Sequence, residues 1–264
     1  MENKNIKVCV LISCMHQKDH SIVERSNIQT DAVVVNQCDE DSVDEYSFVN
    51  KQGRTCNVKF INTTERGLSK SRNMAINNAI GDICLICDDD EVLDDEYEDT
   101  IIKAFREYGE EAIAFRLDYE GKHFEEKTCV YNNFNCGRLS SVQMAFKRDA
   151  IVRNGVRFDS LMGAGSGNGA GEENKFVHDL IKNGVKVRYV PRHIGRVNVG
   201  ESSWFNGYTD KYFQDMGWAG RRIYGKVYGF LFLAYFSVRH HNLGNKGSVY
   251  IFRQLLKGYK DKRG

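Results

Sequence analysis

The chain has 264 residues, of which 41% are hydrophobic and 28% charged, proportions ordinary for a soluble globular protein with room for one good core or a core plus an appendage. The net charge of +1 hides an asymmetry: residues 1–200 carry 26 Lys+Arg against 32 Asp+Glu, a net −6, and residues 201–264 carry 11 against 4, a net +7. An acidic body argues against nucleic acid as a partner, whereas a basic tail suits an anionic lipid surface or another protein.

Residues 6–13 form a compact apolar run rich in β-branched residues and read as a buried first strand. The apolar run 8–15 is short and lacks a small-residue cleavage site, so a secretory leader is not expected. Residues 31–35 with Asn36 and Gln37 predict a second strand, residues 58–61 a third, and residues 68–79 a helix with Met74, Ala75 and Ala79 on one side. Residues 82–87 predict a fourth strand and residues 96–108 a helix. Strands alternating with helices imply βαβ units and a mainly parallel sheet. Beyond Ala112 the pattern is mixed, with strands expected at 113–117, 129–131 and 142–146. Residues 163–171 place glycine at every second position and predict a mobile loop. A helix over 173–183 and a last strand over 185–190 follow, the strand ending before Pro191, the only proline.

The expected division is an α/β domain over residues 1–200 and a basic, aromatic helical extension over 201–264. The extension interleaves Trp204, Tyr208, Tyr212, Phe213, Trp218, Tyr224 and Tyr228 with Lys and Arg. Its apolar run 227–238, flanked by Lys226 and Arg239, falls short of the roughly 20 residues a spanning helix needs. It predicts an interfacial or core-docked helix.

The eight cysteines lie at 9, 14, 38, 56, 84, 87, 129 and 136. Cys84 and Cys87 are spaced as CxxC but inside a predicted strand, where residues three apart point to opposite faces, so a shared metal or a disulfide is not expected. Reduced thiols fit a cytosolic compartment.

The run Asp88-Asp89-Asp90-Glu91 sits directly after the apolar stretch 83–87. Carboxylates crowded at the end of a buried strand repel one another unless a cation neutralises them, and hard Mg²⁺ or Mn²⁺ also binds phosphate oxygens. Ligands of open α/β sheets bind beyond the carboxyl ends of the strands. The motif therefore points to a metal that holds a nucleotide diphosphate; a solvated acidic turn is the plainer alternative. Arg66, Lys70 and Arg72 stand near the start of the predicted helix 68–79, where cations and free N–H groups can meet a diphosphate or simply cap an amphipathic helix. Residues 163–171 miss the third glycine of GxGxxG, and residues 220–227 end in Val227 where a P-loop needs Ser or Thr.

In this order the motifs resemble those of family 2 glycosyltransferases of the GT-A fold. Gly67 with Ser71-Arg72-Asn73 is similar to the family's Gly…Ala-Arg-Asn segment, and Asp88-Asp89-Asp90-Glu91 to its Asp-x-Asp metal motif. Gly155-Val156-Arg157-Phe158-Asp159 is similar to its Gly-x-x-Phe-Asp turn, and Gly171-Glu172-Glu173 to its Gly-Glu-Asp. The resemblance spans about residues 6–200. Asn36-Gln37-Cys38-Asp39 stands where the family often has Asp-Asp-Gly-Ser, and His193 is a rough candidate for the histidine expected after the last strand.

The resemblance implies a GT-A fold, a mixed and mainly parallel sheet flanked by helices with a C-terminal helical extension. It implies inverting transfer of a sugar from a nucleotide-diphosphate donor, expected to be a UDP-sugar, onto a glycan or lipid-linked acceptor in cell-surface polysaccharide synthesis. Mn²⁺ or Mg²⁺ would sit on Asp88 and Asp90. The donor would meet Ser13, Gln37, Asp39, Arg66, Arg72, Asp88 and Asp89. Glu173 is the expected general base, and Glu172 the second candidate, with a part in holding the acceptor hydroxyl. The expected location is cytoplasmic, peripheral on the inner face of the plasma membrane through 201–264. A sugar-1-phosphate nucleotidyltransferase shares the sheet and metal need, yet Ser13-Cys14-Met15-His16 supplies no basic glycine-rich loop after the first strand. A non-enzymatic nucleotide- or glycan-binding protein would not need both a metal site and Glu173.

Overall fold

The computed structural model describes residues 6–119, 124–133, 135–139, 144–169, 171–198 and 207–262; Ala170, Trp204 and residues 142–143 of a predicted strand lie outside them. In chain order the elements are β1 (Val8–Met15), α1 (Ile22–Arg25), β2 (Asp31–Gln37), β3 (Ser42–Val49), β4 (Thr55–Thr63), α2 (Leu68–Asn78), β5 (Ile83–Asp88), β6 (Glu91–Leu93) and α3 (Tyr97–Tyr108). There follow β7 (Ala112–Asp118), β8 (Cys129–Val130), β9 (Met144–Lys147), α4 (Arg148–Asn154), α5 (Glu172–Lys182), β10 (Val187–Val197), α6 (Asp210–Arg239) and α7 (Ser248–Lys260).

The described strands form one sheet in the order β3-β4-β2-β1-β5-β9-β7-β10-β6, with β8 beside β10. β1, β2, β4, β5, β7 and β10 run in one direction, and β3, β6, β8 and β9 oppose them. The central strands are covered on both faces, so β1 is buried from Val8 to Cys14 with no polar alternation. One face packs on α1 and α3 through Ile22, Val23, Ile101 and Phe105; the other packs on α2, α4 and α5 through Ala75, Ile76, Ile151 and Phe176. Cys87 belongs to the first layer and Cys84 to the second, so the CxxC is split across the sheet as expected. All eight cysteines are free thiols.

The parallel register aligns the carboxyl ends of three strands: Met15 pairs with Gln37 and Ser13 with Asp88. That edge is where a ligand of this sheet type belongs.

Three differences from the expected elements have physical reasons. β10 runs on through Pro191 to Val197, and its register with β7 shifts between Tyr189 and His193, the irregularity that lets a residue without an N–H sit inside a strand. β3 is an exposed edge strand carrying Asp44 and Glu45 and so lacks the apolar density that marks the others. The glycine run does not float: Gly163 and Asn168 form a β-bridge, and Asn168 and Met162 are buried.

The C-terminal residues form a three-helix unit. α6 breaks at Gly225 (φ 75°, ψ −170°), a conformation that suits glycine alone. The segment 226–239 folds back on 210–224, so that a Cβ on Gly229 would lie 2.9 Å from Arg221 Cα. α7 crosses so closely that a Cβ on Gly217 would fall 1.9 Å from the Leu255 carbonyl oxygen, and one on Gly258 1.8 Å from that of Gln214. Phe213, Leu233, Phe236, Ile251 and Leu255 form its own small core. The apolar run 227–238 is thus docked along one side only. Among the described residues, no helix is long and apolar enough to cross a membrane.

Candidate active site

The carboxyl ends of β1, β2 and β5 face the start of α2. Ser13 Oγ accepts a hydrogen bond from Ser71 Oγ at 3.0 Å, and Gln37 Oε1 accepts from the Gly67 N–H at 2.7 Å. Gly67, at φ 123°, begins the helix whose next turn carries Ser71, Arg72 and Asn73. Asn73 and Phe158 bond reciprocally, the amide donating to the Phe158 carbonyl at 2.8 Å and accepting its N–H at 2.9 Å. The Ser-Arg-Asn segment therefore ties helix α2 to the Gly-x-x-Phe-Asp turn.

Arg72 lies at the centre, with 2% exposure. Its Nη2 donates to both Asp88 oxygens, at 3.0 and 3.1 Å. Nη1 is 3.6 Å from Glu172 Oε1, Nη2 is 3.8 Å from Glu173 Oε1, and the guanidinium carbon sits 5.3 Å from the centroid of the Phe158 ring. Burial works against the charged guanidinium, but Asp88, Glu173 and Glu172 outweigh it and hold Arg72 protonated. Arg72, expected at the donor phosphates, instead has carboxylates as its neighbours in this structure.

The acidic cluster is short of positive charge. Burial, then repulsion from Asp88 and Asp89, pushes Asp90 up to about 6. Burial and Asp88 also raise Asp89. Glu91 is fully buried and raised well above the carboxylate range by burial and by Asp88; its Oε1 accepts the Asp88 N–H at 3.1 Å. Such hard oxygen donors at mutual cost fit a divalent cation. No three His, Cys, Asp or Glu side chains among the described residues gather into a complete metal shell. The crowded carboxylates of Asp88, Asp89 and Asp90 suit an ion of the Mg²⁺ type, which takes one or two carboxylates and completes its shell from substrate phosphates and water.

Glu172 and Glu173 open α5. The Glu172 side chain is 11% exposed, and burial and then Glu173 raise its pKa to about 7 against the pull of Arg72. The Glu173 side chain is more open, at 28%. Gly163 rests against Glu172: a Cβ there would lie 3.2 Å from Glu172 Cγ.

The glycine turn is fastened from two sides. The Leu68 N–H donates to the Ala164 carbonyl at 2.9 Å, and Ser69 Oγ donates to that of Met162 at 2.7 Å. Gly165 and Gly67 approach so closely that a Cβ on Gly165 would meet Gly67 Cα at 3.2 Å. From α6, Lys211 Nζ donates to the Gly167 carbonyl at 2.9 Å. Arg222 grips Asp159 with Nε and Nη2, the latter at 3.0 Å. Met162, Trp218, Ala219 and Ile223 form a buried cluster between turn and helix.

Of the residues singled out in the sequence, Arg72, Asp88, Glu172 and Glu173 come together, with Asp89 and Asp90 beside Asp88 in the chain and Ser13 opposite Asp88 in the sheet. Asp39 and Arg66 pair with each other at 2.6 Å on the surface, and Lys70 pairs with Glu65 at 3.4 Å. His193 is engaged elsewhere, Nδ1 with Asp94 at 2.6 Å and Nε2 with Asp118 at 3.2 Å. Asn73, Asp159, Lys211 and Arg222 were given no role by sequence reasoning. For Asn73 and Asp159 the signal was their place in two motifs; Lys211 and Arg222 reach the site only because α6 packs there.

The sequence matches the family profile described as Glycosyl transferase family 2 over residues 20–160, more than half of the chain. The chain belongs to glycosyl transferase family 2, and its fold is of the GT-A type. It is a glycosyltransferase. The structure of S. aureus TarS 1–349 in complex with UDP-GlcNAc is similar with a TM-score of 0.61 and 16% identity, over 90% of this chain and 73% of that one. S. aureus TarS gives a TM-score of 0.60 and 14% identity, over 89% of this chain and 43% of that one. The mannosyltransferase PcManGT from Pyrobaculum calidifontis, in complex with GDP-Man and Mn²⁺, gives 0.51 and 14%, over 97% and 69%. At these identities the likeness is one of fold. No curated protein sequence matches the chain.

Proposed function

We propose that the protein transfers a sugar from a nucleotide-diphosphate donor, a UDP-sugar, to a hydroxyl of a glycan or lipid-linked acceptor, with inversion and with Mn²⁺ or Mg²⁺, in the building of a cell-surface polysaccharide. One observation carries the reading: the buried guanidinium of Arg72 reaches Asp88, Glu172 and Glu173 at once. The acids suited to holding a metal–diphosphate and those suited to accepting a proton thereby share one cation. The nucleotide sugars and Mn²⁺ bound by the similar structures agree with it.

Asp88 and Asp90 would hold the cation, which supplies charge against the leaving diphosphate. Ser13, Gln37, Asp39, Arg66 and Asp89 would meet the donor, and Arg72 would act by positioning the acids. Glu173 takes the proton of the acceptor hydroxyl as its oxygen bonds to the anomeric carbon; the bond from that carbon to the diphosphate breaks, and its electron pair leaves with the nucleotide. Accessibility assigns this role to Glu173 over Glu172, since geometry decides before pKa. Glu172, packed against Arg72 and Gly163, orients its neighbour and the acceptor. The glycine turn, fastened to α2 and α6, would cover bound donor and keep water from competing with the acceptor. A membrane surface as partner of 201–264, and with it a peripheral cytoplasmic location, belongs to the same reading.

A panel of nucleotide sugars with Mn²⁺ or Mg²⁺, read by nucleotide release and by thermal shift, tests it. Release from one donor that rises with acceptor and vanishes in EDTA is the expected result. Formation of a nucleotide sugar from a sugar phosphate, or binding without turnover in every combination, overturns it.

A further inference from the structure

Among the described residues, the three-helix unit leaves one face of the segment 226–239 of α6 uncovered. Val227, Tyr228, Leu231, Tyr235 and Val238 are all exposed, between 57% and 70%, and Phe230 at their border turns its ring toward Phe252 and Tyr259 of α7. Their spacing of one, three and four residues gathers them on one side of the helix, while Leu233 and Phe236 point into the small core behind. No charged residue interrupts the chain from Val227 to Val238. The ridge is about 16 Å long at the helical rise. Lys226 and Arg239 bracket it, both exposed, and Arg253, Lys257 and Lys260 are exposed on the adjoining α7.

We infer that this ridge is a membrane-inserting face, lying in the plane of an anionic lipid surface with its apolar side chains among the acyl chains and its basic rim at the headgroups. A helix of this length cannot span the bilayer, but it can lie in the interface. Charge selects the occupant. Residues 201–264 carry a net +7, which anionic lipid attracts, whereas two copies meeting through this face on a two-fold axis would set basic rim against basic rim. Tyr228 and Tyr235 offer rings with a polar tip, which suit the boundary between acyl chains and water. The segment 210–224, on which the ridge segment folds back, holds the glycine turn through Lys211 and the Phe158–Asp159 turn through Arg222, so a docked ridge sets the candidate site close to the lipid surface. The inference deepens the membrane part of the reading above and does not depend on the transfer chemistry.

The test is sedimentation of the full chain with vesicles of phosphatidylcholine alone and of phosphatidylcholine with phosphatidylglycerol, over a range of salt. Wild type should pellet with the anionic vesicles, more weakly as salt rises, and retain a salt-resistant remainder from the apolar face. Leu231→Glu with Tyr235→Glu should weaken binding at least about tenfold, since burial of each apolar side chain is lost and a charge would enter the acyl layer. Val227→Glu with Val238→Glu is a second pair at the ends of the same ridge and should act alike. Val49→Glu, at an equally exposed apolar residue on β3, should leave binding unchanged. Thermal unfolding confirms that each variant is folded. Wild type that ignores the anionic vesicles, folded ridge variants that pellet undiminished, or a solution dimer that the ridge variants dissolve would each overturn the inference. UDP-induced thermal shift is read in parallel: its absence with vesicle binding intact would count against the proposed activity and leave the ridge standing.

Discussion

Arg72 Nη2 sits 3.0 and 3.1 Å from the two oxygens of Asp88, joining the first turns of α2 to the last residue of β5. A buried arginine in such a place is costly unless its charge is matched. Three carboxylates match it, and Nε remains buried without a hydrogen-bond partner among the described residues. The arrangement is organised by charge, with one cation setting the relative positions of acids that come from distant parts of the sequence.

Arg72→Met should therefore destabilise the protein by about 3 kcal/mol, because removing one partner leaves buried acids uncompensated. Arg72→Lys should recover only part of that, since an ammonium is a point charge and cannot present the planar fork that reaches Asp88 and the Glu172–Glu173 pair together. Denaturant unfolding measures both. Equal stability of wild type and Arg72→Met would remove Arg72 from its central place.

Asp90→Asn separates metal binding from folding. The substitution removes one of the crowded acids, so stability without metal should hold or rise. Transfer should drop at least about 100-fold, as loss of metal charge at the leaving group is worth several kcal/mol. Full transferase activity of Asp90→Asn, or activity undiminished by excess EDTA, would refute the metal role.

Much of this was legible in the sequence because it rests on short-range patterns. The continuous apolar runs of β1 and β5 mark buried parallel strands, and an acidic run directly after β5 is visible without coordinates. Strand β3 was not, because an edge strand with Asp44 and Glu45 on it looks like a polar loop. Pro191 misled in the opposite way: proline usually ends a strand, but the register shift between Tyr189 and His193 absorbs it. The contacts of Lys211 and Arg222 with the active-site turns link residues 44 and 63 positions apart, and no local spacing rule reports such pairs. His193 shows the limit of reading by analogy, for its two ring nitrogens face Asp94 and Asp118 and leave the acidic run alone.

Glu173→Gln preserves size and hydrogen bonding but cannot take a proton. Donor binding should persist while kcat falls by about 10²–10⁴, the usual contribution of a positioned base. Glu172→Gln should cost less in kcat and more in acceptor KM, since Glu172 is the more buried and the more tightly packed of the two. Should Glu172→Gln prove inactive and Glu173→Gln nearly normal, the two roles are reversed.

The crowded acids also give stability a distinctive pH dependence. Asp90 and Glu172 have pKa values of about 6 and about 7 in the fold, against about 4 for either carboxyl in an unfolded chain. Between those limits the folded state binds more protons than the unfolded state, so stability falls as pH rises from about 4 to about 7. Acids held low by partners behave oppositely: Asp41, whose carboxylate accepts hydrogen bonds from Thr64, lends stability above its unfolded pKa that is lost as pH falls, and so acts below about pH 4. The two windows do not overlap. In EDTA, Tm should decline steadily over the upper window. Mn²⁺ should stabilise more at its top than at its bottom, because at low pH the ion must displace a proton from Asp90. Asp90→Asn should lose the Mn²⁺ effect and part of the slope, the remainder belonging to Glu172. A Tm that climbs through the upper window in EDTA, or a Mn²⁺ shift independent of pH, would show that these acids are not strained by one another in the free protein.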